Sequence, residues 1–496
     1  MPSIAPRFFL CCATVWLTIA SSVFAADFRN AQAGRPDVRQ DNRICAADLE
    51  AALDQIAARP ALQRARIGVS VQPLNSLEPL YAREAQRFFL PASTTKVLTT
   101  AAALTALGPD YQIQTPVQSV GKPPTLDALK IVGQGDPSFS DQTLQEIAKT
   151  LHSQGIRRIK TLIGDDTVFR GPAVVPSWEW EDLQAGWGSP VNSLMVNENA
   201  YEVRLYPQAL GEPLRLEWQL HEPTVPWRLI NRSRTVSASE PEYTEIVRRF
   251  NEGVLEIEVL GQLRAGGDSD RSWIAVVDPG PYFLRRLQAQ LEGQGIKVNK
   301  TQLIAEPDVE QPDISDQQTL TEIQSPSLSE LINTINRDSN NLYAEAVLKT
   351  LGVQKPSSSE ADTLNQGLQT LKQTLTKLSI DPTTYDISDG SGLSRHNLVS
   401  PEALVQTLKA MDRSPHADIF KKSLRSRELA GLSPETVLVK TGSMTGVSNL
   451  SGYVRSDTFA PLAFTIFFNQ YNQSRRQLTP ILDEMLMLLA RLEPCS

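Results

Sequence analysis

The stretch Phe88-Phe89-Leu90-Pro91-Ala92-Ser93-Thr94-Thr95-Lys96 constrains the fold of this chain more than any other. It joins a strand-like run to a helix. From Ser93 to Leu107 apolar residues recur at Val97, Leu98, Ala101 and Leu104, and Gly108-Pro109 ends the pattern. Lys96 stands three residues after Ser93, so the two side chains leave one helix face. A serine hydroxyl is a poor nucleophile at neutral pH and needs a base within reach. Burial can lower a lysine enough to supply that base, and helix N-terminal amides favour negative charge developing beside the serine. A lone S-x-x-K is more often an N-cap serine beside a solvated lysine. A second copy, Ser119-Val120-Gly121-Lys122, runs into Pro123-Pro124 and reads as a loop.

Two later motifs change the weight of the first. Ser339-Asn340-Asn341 lies between two helical patterns. Its hydroxyl can relay a proton, and its amide can bind a carbonyl and an amine together. An ordinary helix–helix turn would also use these residues. Lys440-Thr441-Gly442 ends the strand-like run Thr436-Val437-Leu438-Val439, where a positive charge, the hydroxyls of Thr441 and Ser443, and room for a close backbone suit an extended peptide. A strand that simply stops at a glycine turn has the same pattern.

Roughly 245 residues separate Ser93 from Ser339, too many for a loop in a compact domain. They are rich in short strands, at Gln112–Gln118, Leu126–Val132, Ile159–Val168, Tyr201–Tyr206, Leu214–Leu220, Trp227–Ile230, Val254–Leu260 and Ser272–Val277. We therefore expect a discontinuous domain, residues 26–111 and 321–496, with one or two inserted β-rich domains over 112–320 and an inner one near 202–250. Helical patterns at Ile44–Ala58, Ser327–Asn336, Leu342–Leu351, Ala361–Leu378, Leu404–Met411 and Leu478–Leu492 surround late strands, which predicts an antiparallel sheet covered by helices, an α/β (α+β) fold. The cluster Trp178, Trp180 and Trp187 reads as core. The loop Asp389–Arg395 either lines a cleft or is a tight turn satisfying its own backbone.

Arg7, the apolar run Phe8–Ala20 and Ser21-Ser22-Val23-Phe24-Ala25 read as a secretory signal peptide, residues 1–25, cut near Ala25; the run is short for a membrane anchor. Cys11 and Cys12 leave with it. Cys45 and Cys495 remain, either as the disulfide an exported chain invites or as two inert thiols. A net charge of −8 without a long basic run argues against nucleic acid as a partner, and nothing supports association with a membrane surface. His152, His221, His396 and His416 are not at ligand spacing, so no metal and no cofactor are expected. No G-x-S-x-G occurs, which argues against an α/β-hydrolase.

In the order S-x-x-K, S-x-N, K-T-G, the three motifs resemble the signature of active-site serine penicillin-binding proteins and β-lactamases. The long gap, Asp338–Glu345, Asp389–Arg395 and Gly133–Pro137 resemble class C low-molecular-mass penicillin-binding proteins, peptidase family S13. The resemblance implies a serine β-lactamase/DD-peptidase-like catalytic domain acting as a D-alanyl-D-alanine carboxypeptidase or endopeptidase on peptidoglycan stem peptides in the periplasm or cell-wall space, with β-lactams as inhibitors. It implies Ser93 as the acylated nucleophile, Lys96 as general base, and Ser339 and Lys440 as proton carriers to the leaving amine. Asn341 would hold the substrate amide, Thr441 and Ser443 its carboxylate beside Gly442, and the amides of Ser93 and Ser443 the oxyanion. It also implies that the first and last helices pack on one face of the sheet, which brings Cys45 and Cys495 close enough to bond. A β-lactamase-like hydrolase is the nearest alternative, and the length and the lack of a deacylating Glu motif before S-x-N speak against it. A catalytically silent peptidoglycan-binding scaffold is the other, and three intact motifs speak against that.

Overall fold

Six antiparallel strands form the central sheet, in the order Arg425–Ser426, Val437–Met444, Val447–Val454, Leu462–Asn469, Arg66–Pro73, Tyr81–Arg83. The sheet is covered on both faces, and strand alternation sorts its residues between the two layers. Phe464, Ile466 and Phe468 face the helices Leu49–Ala57 and Arg475–Ala490, while Ala463 and Phe467 face the layer containing Lys96–Leu107 and Pro401–Asp412. The two central strands, Val447–Val454 and Leu462–Asn469, are therefore buried at every position. The computed structural model describes residues 43–218, 227–306, 318–354 and 362–495, and the chain from Arg43 onward is one compact unit. The expected signal peptide lies outside the described residues.

The helix Lys96–Leu107 is buried from Lys96 through Leu104, because Leu328–Arg337, Asn341–Val353 and Thr363–Lys377 enclose the sides that the sheet leaves open. The two chain ends meet. Ile44–Cys45 pairs in parallel with Leu492–Glu493, and Cys45 is bonded to Cys495 with Cα atoms 5.0 Å apart. That pairing holds the backbone extended, so the first helix starts at Leu49 rather than at Ile44.

Residues 114–324 build three further sheets. Five strands run in the order Lys297–Ile304, Arg158–Asp165, Thr125–Val132, Gln114–Lys122, Gln318–Gln324, and the helices Asp141–Ser153 and Pro279–Gly293 pack beside them. A three-stranded sheet (Asp270–Ala275, Ala200–Tyr206, Arg215–Trp218) shares one apolar cluster with a four-stranded sheet of Trp227–Asn231, Arg234–Val236, Tyr243–Asn251 and Val254–Arg264.

Several details differ from the sequence reading. Gln318–Gln324 crosses the position 320 set as a boundary and belongs to the five-stranded sheet. Phe169, Val175, Trp178, Val191 and Met195 pack in the same cluster as Val97 and Leu98, so part of the intervening segment returns to the central body. Ser119 to Lys122 lies on a strand, not a loop, with Ser119 buried. The strand carrying Lys440 runs on to Met444 instead of stopping at Gly442. Trp178 is buried as expected, but Trp180 and Trp187 are 65% and 58% exposed and are not core.

Candidate active site

Ser93 stands in a 3-10 turn, Ala92–Thr95, that leads into the helix Lys96–Leu107. The turn is tight because Thr94 Oγ1 donates to Pro91 O at 2.7 Å and Thr95 Oγ1 to Ala92 O at 3.0 Å. Two sheet asparagines fix the chain before it: Asn449 Nδ2 donates to Leu90 O and Pro91 O, and Asn469 Oδ1 accepts from Leu90 N. Two glycines let neighbouring backbone close on the turn. A Cβ on Gly442 would lie 2.6 Å from Pro91 O, and one on Gly392, at φ 85°, would lie 1.9 Å from Ala92 O. The Ser93 turn is thus pinched between the Lys440 strand and the Asp389–Arg395 loop.

Lys96 is completely buried, and its Nζ donates to Ser93 Oγ at 3.0 Å, Asn341 Oδ1 at 2.7 Å and Ser391 O at 2.6 Å. Burial lowers its pKa to about 7, against the opposing pull of Asp389 and Glu345. Lys440 is buried too, and its Nζ donates to Ser339 Oγ at 2.8 Å and Thr441 O at 3.0 Å. Its pKa falls well below the usual lysine value, first by burial and then by the charges of Lys96 and Arg425. Ser339 sits at φ 60°, a rare conformation for serine. Asn340 next to it caps the helix Asn341–Val353 by accepting from Tyr343 N. The three motifs therefore converge, with each lysine amine on a different serine.

Thr441, Gly442 and Ser443 lie on the strand Val437–Met444, whose outer neighbour Arg425–Ser426 covers only Leu438 and Val439. Beyond Val439 that edge borders the Ser93 turn. A cleft of about 500 Å³ opens there, lined by Ser93, Ser339, Asn341, Gly392 and Ser443 on one side and by Glu179, Asp182, Trp187 and Arg395 on the other. Lys96 and Lys440 are buried and do not line it. A larger cavity of about 1160 Å³, bounded by Gln72, Glu402 and Lys409, contains none of the motif residues.

Both readings of the Asp389–Arg395 loop hold at once. Gly392, Leu393 and Arg395 line the cleft, while buried Asp389 accepts from Gly392 N, Ser394 N, Asn397 Nδ2 and Trp178 Nε1 at 2.7–2.9 Å. Glu345, which carried no role in the sequence reading, holds the same loop by accepting from Ser391 N at 2.7 Å and Gly390 N at 3.0 Å. Burial, helped by Asp389, raises its pKa to about 7. Its position one helical turn after Asn341 was the available signal. Among the described residues no three His, Cys, Asp or Glu side chains gather as metal ligands, and no helix is long and apolar enough to cross a membrane.

The profile of the D-Ala-D-Ala carboxypeptidase 3 (S13) family matches residues 49–492. A D-alanyl-D-alanine carboxypeptidase of Actinomadura sp. (strain R39) is 31% identical over 450 residues, which cover 86% of this chain and 81% of that one. The D-alanyl-D-alanine carboxypeptidase DacB of Haemophilus influenzae is 27% identical over 82% of this chain and 86% of its own length. The crystal structure of penicillin binding protein 4 (dacB) from Haemophilus influenzae superposes with a TM-score of 0.73 at 25% identity, covering 88% of this chain and 98% of that one. With its three motifs gathered around Ser93 on a shared fold, this chain belongs to the D-Ala-D-Ala carboxypeptidase 3 (S13) family.

Proposed function

We propose that this protein is an exported serine D-alanyl-D-alanine carboxypeptidase that also cleaves peptidoglycan cross-links as an endopeptidase, and that β-lactams inhibit it by acylating Ser93. Ser93 Oγ attacks the carbonyl of the D-Ala-D-Ala bond as Lys96 Nζ takes the hydroxyl proton. The backbone amides of Ser93 and Ser443 hold the oxyanion. Ser339 and Lys440 pass a proton to the leaving amine, the C–N bond breaks, and D-alanine departs. Water then hydrolyses the ester. Asn341 holds the substrate amide, and Thr441 and Ser443 bind the terminal carboxylate beside Gly442, whose missing side chain lets this strand lie against the Ser93 turn. The sheets built between residues 114 and 324 are an insertion into the catalytic body, from which the chain around Phe169–Met195 returns to that body.

The observation that carries this reading is a buried amine with a pKa near 7 lying 3.0 Å from the Ser93 hydroxyl. The names of the relatives support the substrate, and a second Haemophilus influenzae structure is complexed with a β-lactam. The test is mass spectrometry of the protein treated with benzylpenicillin, together with release of free D-alanine from a stem pentapeptide. The adduct is expected on the Ser93 peptide and absent in Ser93→Ala. An adduct on Ser119 or Ser339 would refute the assignment. Labelling without D-alanine release would favour a β-lactamase-like hydrolase, and no labelling at all a silent scaffold. Sequencing the secreted protein from its N-terminus tests export, with a new terminus expected just after Ala25.

A further inference from the structure

One wall of the cleft is an excursion of the chain from Pro172 to Val191. At its neck Val191 N donates to Ala173 O at 2.7 Å, and the buried Lys349 amine donates to Pro172 O at 3.1 Å and Val191 O at 2.8 Å. Lys349 shares a helix with Asn341, so the neck is fixed to the body that carries the motifs. The tip is two short 3-10 turns, Asp182–Gln184 and Gly186–Gly188, tied by Trp187 Nε1 donating to Asp182 Oδ1 at 3.1 Å.

The tip reaches the chemistry directly. Asn341 Nδ2 donates to Trp187 O at 3.0 Å, while Asn341 Oδ1 accepts from Lys96. An amide has one accepting and one donating end, so the carbonyl of Trp187 helps decide which end of Asn341 faces Lys96.

The far side of the tip is held by the module of strands between Ala200 and Ala275. Arg248, on the strand Tyr243–Asn251, donates from Nη2 to Leu183 O and from Nη1 to Ala275 O, both at 2.5 Å. Its backbone N–H donates to Gln184 Oε1 at 2.9 Å, and Ala185 bridges to Ile274. One guanidinium therefore joins both sheets of the module to the wall. A rigid, planar fork suits this, because each donor is aimed at a carbonyl.

Resting on the serine-peptidase reading above, we propose that Arg248 is a positioning residue, through which the inserted strand module holds the cleft wall in the geometry a long peptide substrate requires. The module is then a working part of the site. Arg248 touches neither substrate nor reacting atoms. Its loss loosens the tip, while the neck stays clasped by Lys349.

The experiment compares Arg248→Ala, Arg248→Lys and Gln184→Ala with the unsubstituted full chain, on a stem pentapeptide and on a short acyl-D-Ala-D-Ala that does not reach the wall. Benzylpenicillin titration counts competent Ser93 sites in each. For Arg248→Ala we expect kcat/KM on the pentapeptide to fall roughly 10- to 100-fold and on the short substrate less than about threefold, with Ser93 still titrating fully. Arg248→Lys, which keeps the charge but loses the fork, restores part of the loss. Gln184→Ala gives the same selectivity on a smaller scale, and it carries the test if Arg248→Ala does not fold. Equal losses on both substrates, or no loss on either, would overturn the proposal. Failure of the unsubstituted protein to titrate with penicillin would instead overturn the parent reading.

Discussion

The contact between Gly392 and the Ser93 turn can be tested by Gly392→Ala with a matched control. The added Cβ would lie 1.9 Å from the carbonyl oxygen of Ala92, against the 3.0 Å below which real Cβ contacts are essentially never found, so one backbone gives way by about an ångström. Gly392 also sits at φ 85°, which costs an alanine about 1–2 kcal/mol by itself. Gly431, at φ 80° with nothing within 4 Å of a built Cβ, carries that conformational cost alone. Gly431→Ala should thus lose about 1–2 kcal/mol, and Gly392→Ala a further 1–3 kcal/mol from the overlap. The displaced atom is the carbonyl next to the nucleophile, and a shift of that size can cost about 100-fold in rate. The assays are thermal unfolding and the second-order rate of acylation by benzylpenicillin. Gly431→Ala should acylate at the unsubstituted rate, and Gly392→Ala about two orders of magnitude more slowly. Equal stability losses with unchanged acylation in both variants would show that the loop does not press on the Ser93 turn.

Lys96→Ala and Lys440→Ala should each lower acylation by on the order of 10²–10⁴ while the far-ultraviolet circular dichroism stays native, and an unchanged rate in either removes that lysine from the mechanism. Lys96 must be neutral to accept a proton, and its pKa lies near 7, so acylation should rise with pH up to about 7 and level off above it, in a pH–rate profile. Because that value lies below the ordinary 10.5, the unfolded chain binds more protons between the two, and the contribution of Lys96 to stability rises with pH across that window. Glu345 acts in the opposite sense: raised from 4.5 to about 7, it makes the folded chain the better proton binder there, so its contribution falls as pH climbs toward 7. Reducing the Cys45–Cys495 bond should cost about 2–4 kcal/mol in thermal or denaturant unfolding and leave acylation at moderate temperature intact, since the bond ties the chain ends rather than the cleft.

The sequence by itself determined the local parts of this site. The spacing of Ser93 and Lys96 needs only a helical start, and the element types around Ser339 and Lys440 follow from periodicity and from strand-forming Val437, Leu438 and Val439. An antiparallel sheet covered by helices was legible as well, in late strands set between helical patterns; that both of its faces are covered came from the structure. What the tertiary structure decided is how parts remote in the chain adjust one another. The state of Lys96 depends on being enclosed by helices more than 200 residues away and on Asn341 and Ser391, which no local pattern encodes. Glu345 looks like any helical glutamate until the loop at Gly390 folds onto it. The three tryptophans have the same composition signal but different fates, because only Trp178 finds a buried carboxylate, Asp389, for its N–H, while Trp187 is turned to the cleft by the wall's own short helical turns. The inserted strands were visible as β-rich sequence, but their hold on the wall rests on one guanidinium meeting the carbonyls of Leu183 and Ala275. Such a contact leaves no periodic trace, because a backbone carbonyl is the same at every residue and only the fold selects which ones Arg248 can reach.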